Sequence, residues 1–123
     1  MNNKSPLRYP GGKTRGCSVL DKLFKEHFKT ESFDTVVSPF FGGGSFEFYL
    51  QHIYGYQILA NDKFKPLYSF WLACKENKDE LTSLLESVKE VTKQNFSNFR
   101  NLIMTLDDTV EQAYYYFIIN RCS

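Results

Sequence analysis

No stretch of the sequence approaches the ~18 consecutive apolar residues of a membrane-spanning helix, and the polar start Met1-Asn2-Asn3-Lys4 is no secretory leader. A soluble, intracellular protein is the expectation. Cysteine is sparse: Cys17, Cys74 and Cys122 lie far apart, form no C-x-x-C pair and are accompanied by two histidines, so neither a zinc site nor a disulfide framework is suggested. An excess of one charge is also lacking. With a net charge of +1 and a pI near 7.7, nothing global announces a nucleic-acid binder, so any DNA contact has to be local. Internal repeats, low-complexity segments and adjacent prolines are absent. What the 123 residues do carry is aromatic: twelve Phe and eight Tyr within a 17% aromatic content argue against disorder, and the length is that of one ordinary domain.

Periodicity gives the order of elements. Over residues 14–28, Val19, Leu20, Leu23, Phe24 and Phe28 recur at helical spacing, which predicts an amphipathic helix. After a polar linker, the run 34–40 (DTVVSPF) is β-branched and closed by a proline, as expected of a buried strand entering a turn. Three glycines and Ser45, a candidate cap, then precede a helical pattern through Phe46, Tyr49 and Leu50. The run 56–60 (YQILA) predicts a second strand, with Asn61-Asp62 at its end. Pro66 suits the first turn of a helix bearing Leu67, Phe70, Trp71 and Cys74. Further helical patterns cover about 78–91 and 95–106, and a last one starts near Asp107-Asp108. Strand, glycine loop, helix, second strand and acid form the opening of a doubly wound α/β nucleotide site, whose ligand lies beyond the carboxyl ends of the strands.

Two phosphate motifs fail on spelling. Gly12-Lys13-Thr14 resembles the end of a P-loop, but the first glycine of that pattern falls at Leu7. A Pro-Gly turn followed by a helix with a basic first turn is the plainer reading. From Gly42 and Gly44, the third position of the dinucleotide fingerprint is Glu47, and a carboxylate there disfavours a pyrophosphate. Asp62 follows Gly44 at close to the ~20-residue spacing at which such folds place an acid on ribose hydroxyls. Asp is equally at home as a helix cap or a turn residue after a strand, and a glycine triplet as a plain turn, so both readings stand for each. A nucleoside ligand without pyrophosphate, gripped by a glycine loop and an acid, points to S-adenosylmethionine.

Four segments then match, in order, one known family. LRYPGGK (7–13), VVSPFFGGGSFEFYL (36–50), YQILANDKFKPLYSFW (56–71) and YYFIINRCS (115–123) resemble the motifs of the Dam-type (D12 class) DNA adenine-N6 methyltransferases. The resemblance implies an α/β, Rossmann-like S-adenosylmethionine-dependent methyltransferase fold, truncated before the target-recognition region and the catalytic motif. It implies one partial domain: an N-terminal G-G-K motif and helix over 1–30, a donor-binding β-α-β-α core over 34–76, and a helical segment over 77–123 leading toward target recognition. By resemblance, Tyr9 packs against S-adenosylmethionine, Lys13 reaches its carboxylate, Phe41, Gly42 and Gly44 form the donor loop, and Asp62 completes the cofactor set. Arg8 stands where the family places a basic residue near DNA; a solvated cation at a helix start is the other reading for it and for Arg15. Double-stranded DNA is the implied partner of the complete enzyme; the chain then reads as a fragment of it, as a decayed copy, or as a split half whose partner is a separately encoded C-terminal half, and no metal is implied.

Three departures from the family pattern matter. Ser38 replaces the acid that usually precedes Pro-Phe, and Lys63 follows Asp62 where an apolar residue is usual. The third is the absence of Asp-Pro-Pro-Tyr from the sequence. The exocyclic amine of adenine is a poor nucleophile, and that tetrapeptide accepts its hydrogen bonds while an aromatic face stacks the flipped base. Without it the gain from proximity and orientation is lost, so the chain alone is expected not to transfer a methyl group. A non-catalytic remnant or split half acting as an interaction protein through the aromatic run Tyr114–Ile119 is the alternative, although such a run is more often core. A nucleoside triphosphate or dinucleotide binder is the third class.

Overall fold

The computed structural model describes residues 5–9 and 14–123 of the chain. Two compact units divide it, one up to Asn61 and one from Asp62 to Ser123. Both are rich in helix, and the sheet is a single parallel pair in the first. Among the described residues no helix is long and apolar enough to cross a membrane.

In the first unit a 3-10 turn leads into helix α1 (Cys17–His27). The face it buries is not the whole of the predicted apolar stripe: Val19, Leu23 and Phe28 are exposed, while Cys17 and Asp21 are buried. The inward row runs through the buried residues 17 and 21 and the half-buried residues 20 and 24. An acid can sit there because helix α2 (Ser45–Tyr54) supplies its partners. Asp21, 5% exposed, accepts from the Tyr54 hydroxyl at 2.5 Å and the Tyr49 hydroxyl at 3.2 Å, and Lys25 pairs with it at 3.2 Å. Around this contact Phe24 meets Phe28, Phe33, Phe46, Tyr54 and Tyr56, and Tyr56 stacks on both Phe33 and Tyr54.

Strands β1 (Thr35–Ser38) and β2 (Gln57–Ala60) run parallel in the register Thr35↔Gln57 to Ser38↔Ala60. β1 is shorter than the predicted run because Pro39 has no N–H to continue the ladder. The chain stays tied there: the Asn61 N–H donates to the Ser38 carbonyl at 2.8 Å and the Phe41 N–H to the Asn61 carbonyl at 2.9 Å. Gly44, left-handed at φ 71°, caps α2, and Ser45 is the first helical residue rather than the cap. A Cβ on Gly44 would stand 2.6 Å from Cε1 of Phe41. Both the turn and the close approach therefore require glycine.

The second unit is helical throughout, with α3 (Lys65–Glu76), α4 (Lys78–Glu86), α5 (Lys93–Leu102) and α6 (Thr109–Cys122). Pro66 lies in the first turn of α3, as the sequence leads one to expect, and Asp108, near which the last helical pattern starts, caps α6 by accepting from the Glu111 N–H at 2.8 Å. The patterns at 78–91 and 95–106 are trimmed to α4 and α5; α5 starts earlier because Thr92 and Asn95 form a capping box. Helices α3 and α6 pack through Leu67, Phe70, Ala73, Val110, Ala113 and Ile118, all buried, with Phe70 stacked on Phe117 at 5.7 Å. At their core the Ser69 hydroxyl donates to Oε1 of Gln112 at 2.6 Å, and Nε2 of Gln112 donates to the Ile103 carbonyl at 2.8 Å. Residues 114–119 are half-buried or buried, so the aromatic run is core in this unit. Trp71, the one tryptophan of the chain, stands edge-on to Phe70 at 5.0 Å.

Two substitutions test this account. Burial acts to raise the Asp21 carboxyl, but the hydrogen bonds from Tyr54, Lys25 and Tyr49 outweigh it and hold it below the usual carboxylate range. A lowered folded pKa means that the unfolded chain holds the proton more tightly. Asp21 therefore contributes fully above its unfolded value of ~3.9 and loses that contribution as pH falls through its lower folded value. The urea midpoint of the native chain is expected to fall over that window more steeply than that of Asp21→Asn, and Asp21→Ala to cost about 2–3 kcal/mol by stranding two phenols. Gly44→Ala is expected to lower the melting temperature more than Gly55→Ala, because Gly55 has a like φ of 73° but open space where its Cβ would stand.

Candidate functional site

Chemistry-bearing residues gather at the carboxyl end of β1, where the chain leaves the sheet through Pro39 and the glycine loop to enter α2. The three glycines are buried, and Tyr9 lies against Gly42 and Gly43. A Cβ on Gly42 would stand 3.0 Å from Cε1 of the Tyr9 ring, and one on Gly43 would stand 2.9 Å from its Cβ. Tyr9 itself remains 41% exposed. Phe41 is buried beneath the loop, its ring against Gly44 and edge-on to Phe48 at 5.6 Å, while Phe40 beside it is 86% exposed. The structure thus brings Tyr9, Phe41, Gly42 and Gly44 into one cluster.

The remaining sequence candidates are placed differently. Lys13 lies outside the described residues. Arg8 and Arg15 are exposed. Asp62 is half-buried at the start of the second unit, where its Oδ1 accepts from the Phe64 N–H at 3.1 Å. That bond is an Asx-type turn leading into α3, the local role that the residue type favours after a strand.

One pair in the cluster was not legible as a pair. Ser38, the last residue of β1 and buried, donates its hydroxyl to Oε1 of Glu47 at 2.6 Å. Glu47 occupies the first turn of α2, where the helix N-terminus favours a carboxylate. Sequence reading had an acid missing at Ser38 and an unwelcome one at Glu47; in the fold the second stands against the first. The available signal was a hydroxyl ending a strand and an acid in the first turn after the glycine loop. Cys17 lies close by, its thiol donating to the Ser45 carbonyl at 3.6 Å. Burial, and then the charge of Glu47, raise that thiol's pKa, so it stays protonated and is no nucleophile at neutral pH.

Backbone with no Cβ at Gly42 and Gly43 lies against the Tyr9 side chain, and Glu47, bonded to Ser38, follows the loop in the first turn of α2. The family model for D12 class N6 adenine-specific DNA methyltransferase matches residues 9–122. The Type II methyltransferase M.MjaIII of Methanocaldococcus jannaschii is 26% identical over 117 residues, which are 94% of this chain and 37% of that protein. The chain thus spans well under half the length of the relative it matches. With the match running across almost all of its length, the chain belongs to the D12 class N6 adenine-specific DNA methyltransferase family.

Proposed function

We propose that this chain is the donor-binding portion of a site-specific DNA adenine-N6 methyltransferase, with S-adenosylmethionine as methyl donor and double-stranded DNA as the substrate of the complete enzyme. The observation that carries the reading is the parallel strand, glycine loop, helix and strand unit with Tyr9 laid on its loop, in a chain of this family. A Rossmann-like methyltransferase fold, of which β1, α2 and β2 form the opening, belongs to the same proposal. So does the division into an N-terminal motif, a donor-binding core over 34–76 and a helical segment leading to target recognition.

S-adenosylmethionine, when bound, supplies an electrophilic methyl group on a sulfonium. The chain's own residues bind and orient. Gly42 and Gly44 let the backbone approach the donor, with Phe41 supporting the loop from beneath, and Tyr9 offers a flat apolar face to it. Lys13 provides a point charge for the donor's carboxylate, and the Asp62 carboxylate accepts from ribose hydroxyls. Arg8 contacts DNA, where a guanidinium fork fits a phosphate or a guanine edge. No Asp-Pro-Pro-Tyr is present to accept hydrogen bonds from the adenine amine, so orientation of the nucleophile falls to another polypeptide segment.

A second reading, a non-catalytic interaction protein, draws on Val37 and Leu59. These two residues face each other in the β1–β2 register and are 68% and 50% exposed. A two-stranded parallel sheet is marginal without cover, and parallel sheets are ordinarily buried on both faces.

Titration calorimetry with S-adenosylmethionine separates the readings. The donor-binding reading expects saturable, micromolar-range binding, weakened about tenfold or more by Lys13→Ala or Asp62→Ala. A folded chain that does not bind the donor, yet forms concentration-dependent oligomers, rejects it in favour of the interaction protein. Labelled methyl transfer to adenine-containing duplex DNA is expected to stay at background for this chain alone; turnover without a second polypeptide refutes that expectation.

A further inference from the structure

The Ser38–Glu47 pair takes no part in the roles assigned above, yet it lies at the carboxyl end of β1, beside the donor loop. Its geometry is that of a held charge. A hydroxyl-to-carboxylate bond of 2.6 Å is charge-assisted, the hydroxyl belongs to a buried residue at the end of a strand, and the carboxylate sits in the first turn of a helix. A strand and a helix together fix where that charge sits. The bond occupies one lobe of Oε1, and a carboxylate has capacity for several donors. Among the described residues no Lys or Arg forms an ion pair with Glu47.

A fixed negative charge beside a ligand loop acts on what can bind. It repels the phosphates of nucleotides and attracts a cation. S-adenosylmethionine carries two cations of different kinds. Its sulfonium has no N–H or O–H to donate, whereas its α-ammonium has three donors, like a lysine head group. A carboxylate already aimed by one hydroxyl is matched by the second.

We propose that Glu47, aimed by Ser38, is a specificity-determining residue of the donor site: it receives the α-ammonium of the methyl donor and excludes phosphate-bearing nucleotides. The inference rests on the donor-binding reading and deepens it. With Lys13 on the donor's carboxylate, the zwitterionic end of the ligand is read by one charge of each sign. The position also accounts for Ser38 where the family pattern has an acid: the carboxylate is supplied from α2, and the strand supplies the hydroxyl that holds it.

Calorimetry on the full chain tests this with four ligands: S-adenosylmethionine, S-adenosylhomocysteine, methylthioadenosine and ADP. Glu47→Gln keeps the shape of the side chain and an oxygen for Ser38 but removes the charge. It is expected to weaken S-adenosylmethionine and S-adenosylhomocysteine alike by about tenfold, because both carry the ammonium, and to leave methylthioadenosine, which lacks it, unchanged. ADP is expected to bind the variant better than the native chain. Equal affinities of variant and native chain for S-adenosylmethionine overturn the proposal while leaving donor binding intact, and so does an equal loss for methylthioadenosine. If the native chain binds no S-adenosylmethionine, the donor-binding reading itself falls, and this inference with it. Ser38→Ala guards against misfolding of the first variant. It keeps the charge but frees it, and is expected to weaken S-adenosylmethionine about threefold; unchanged affinity in a folded Ser38→Ala chain also overturns the proposal.

Discussion

A carboxylate turned inward from α1 sets the first unit of this molecule. Asp21 is buried, and what makes its burial tolerable is a pair of phenols from α2 and an ammonium one turn along its own helix. Burying an acid without such partners costs more than a small domain can spare. Once the partners are in place, the rotation of α2 about its axis is defined, because Tyr49 and Tyr54 have to meet one side chain at the same time. The first turn of that helix, two residues before Tyr49, carries Glu47, and just before the helix comes Gly44. The contact that sets the rotation of α2 thereby also sets which way the loop's charged neighbour faces. The aromatic cluster around Phe24 fills the space beside the bond with apolar rings, which lowers the local dielectric and strengthens it.

Much of the order of elements is legible in the sequence, because Pro39, the glycine triplet, Pro66 and Asp108 act on their own backbone. Proline ends β1 for lack of a donor, and Asp108 caps α6 with its own side chain. Periodicity is a weaker guide where an apolar stripe has two equivalent edges. In α1, residues 19 and 23 satisfy the helical repeat as well as 20 and 24 do, and only the tyrosines of a helix later in the chain select the second pair. The aromatic run 114–119 is ambiguous for a related reason: it is apolar all round, and its burial follows from α3, not from its own pattern. At the candidate site, Tyr9 and the glycines are marked by composition and motif. The bond between Ser38 and Glu47 is not, since it needs the strand, the loop and the first helical turn together.

Family membership and chemistry divide the labour of the reaction unevenly. Holding a nucleoside asks for backbone without Cβ, a flat ring and a few fixed charges, all of which a strand, a loop and a helix supply locally. Activating an aromatic amine asks for hydrogen-bond acceptors placed against a base that has left its stack, and such groups have to come from a surface that also grips DNA. The near-neutral charge of this chain is in keeping with the first task and contributes little to the second.

The position of the lone tryptophan gives the molecule a built-in optical division. Trp71 belongs to α3, edge-on to Phe70 within the helical unit, whereas the rings of the first unit are all Phe or Tyr. Indole emission therefore reports on the second unit alone. The stacked pairs Tyr54–Tyr56 and Phe33–Tyr56 place the strongest near-ultraviolet ellipticity of the first unit around its own core. Fluorescence then follows the helical unit without a label, whereas near-ultraviolet circular dichroism sums the rings of both units, Trp71, Tyr114 and Tyr115 included.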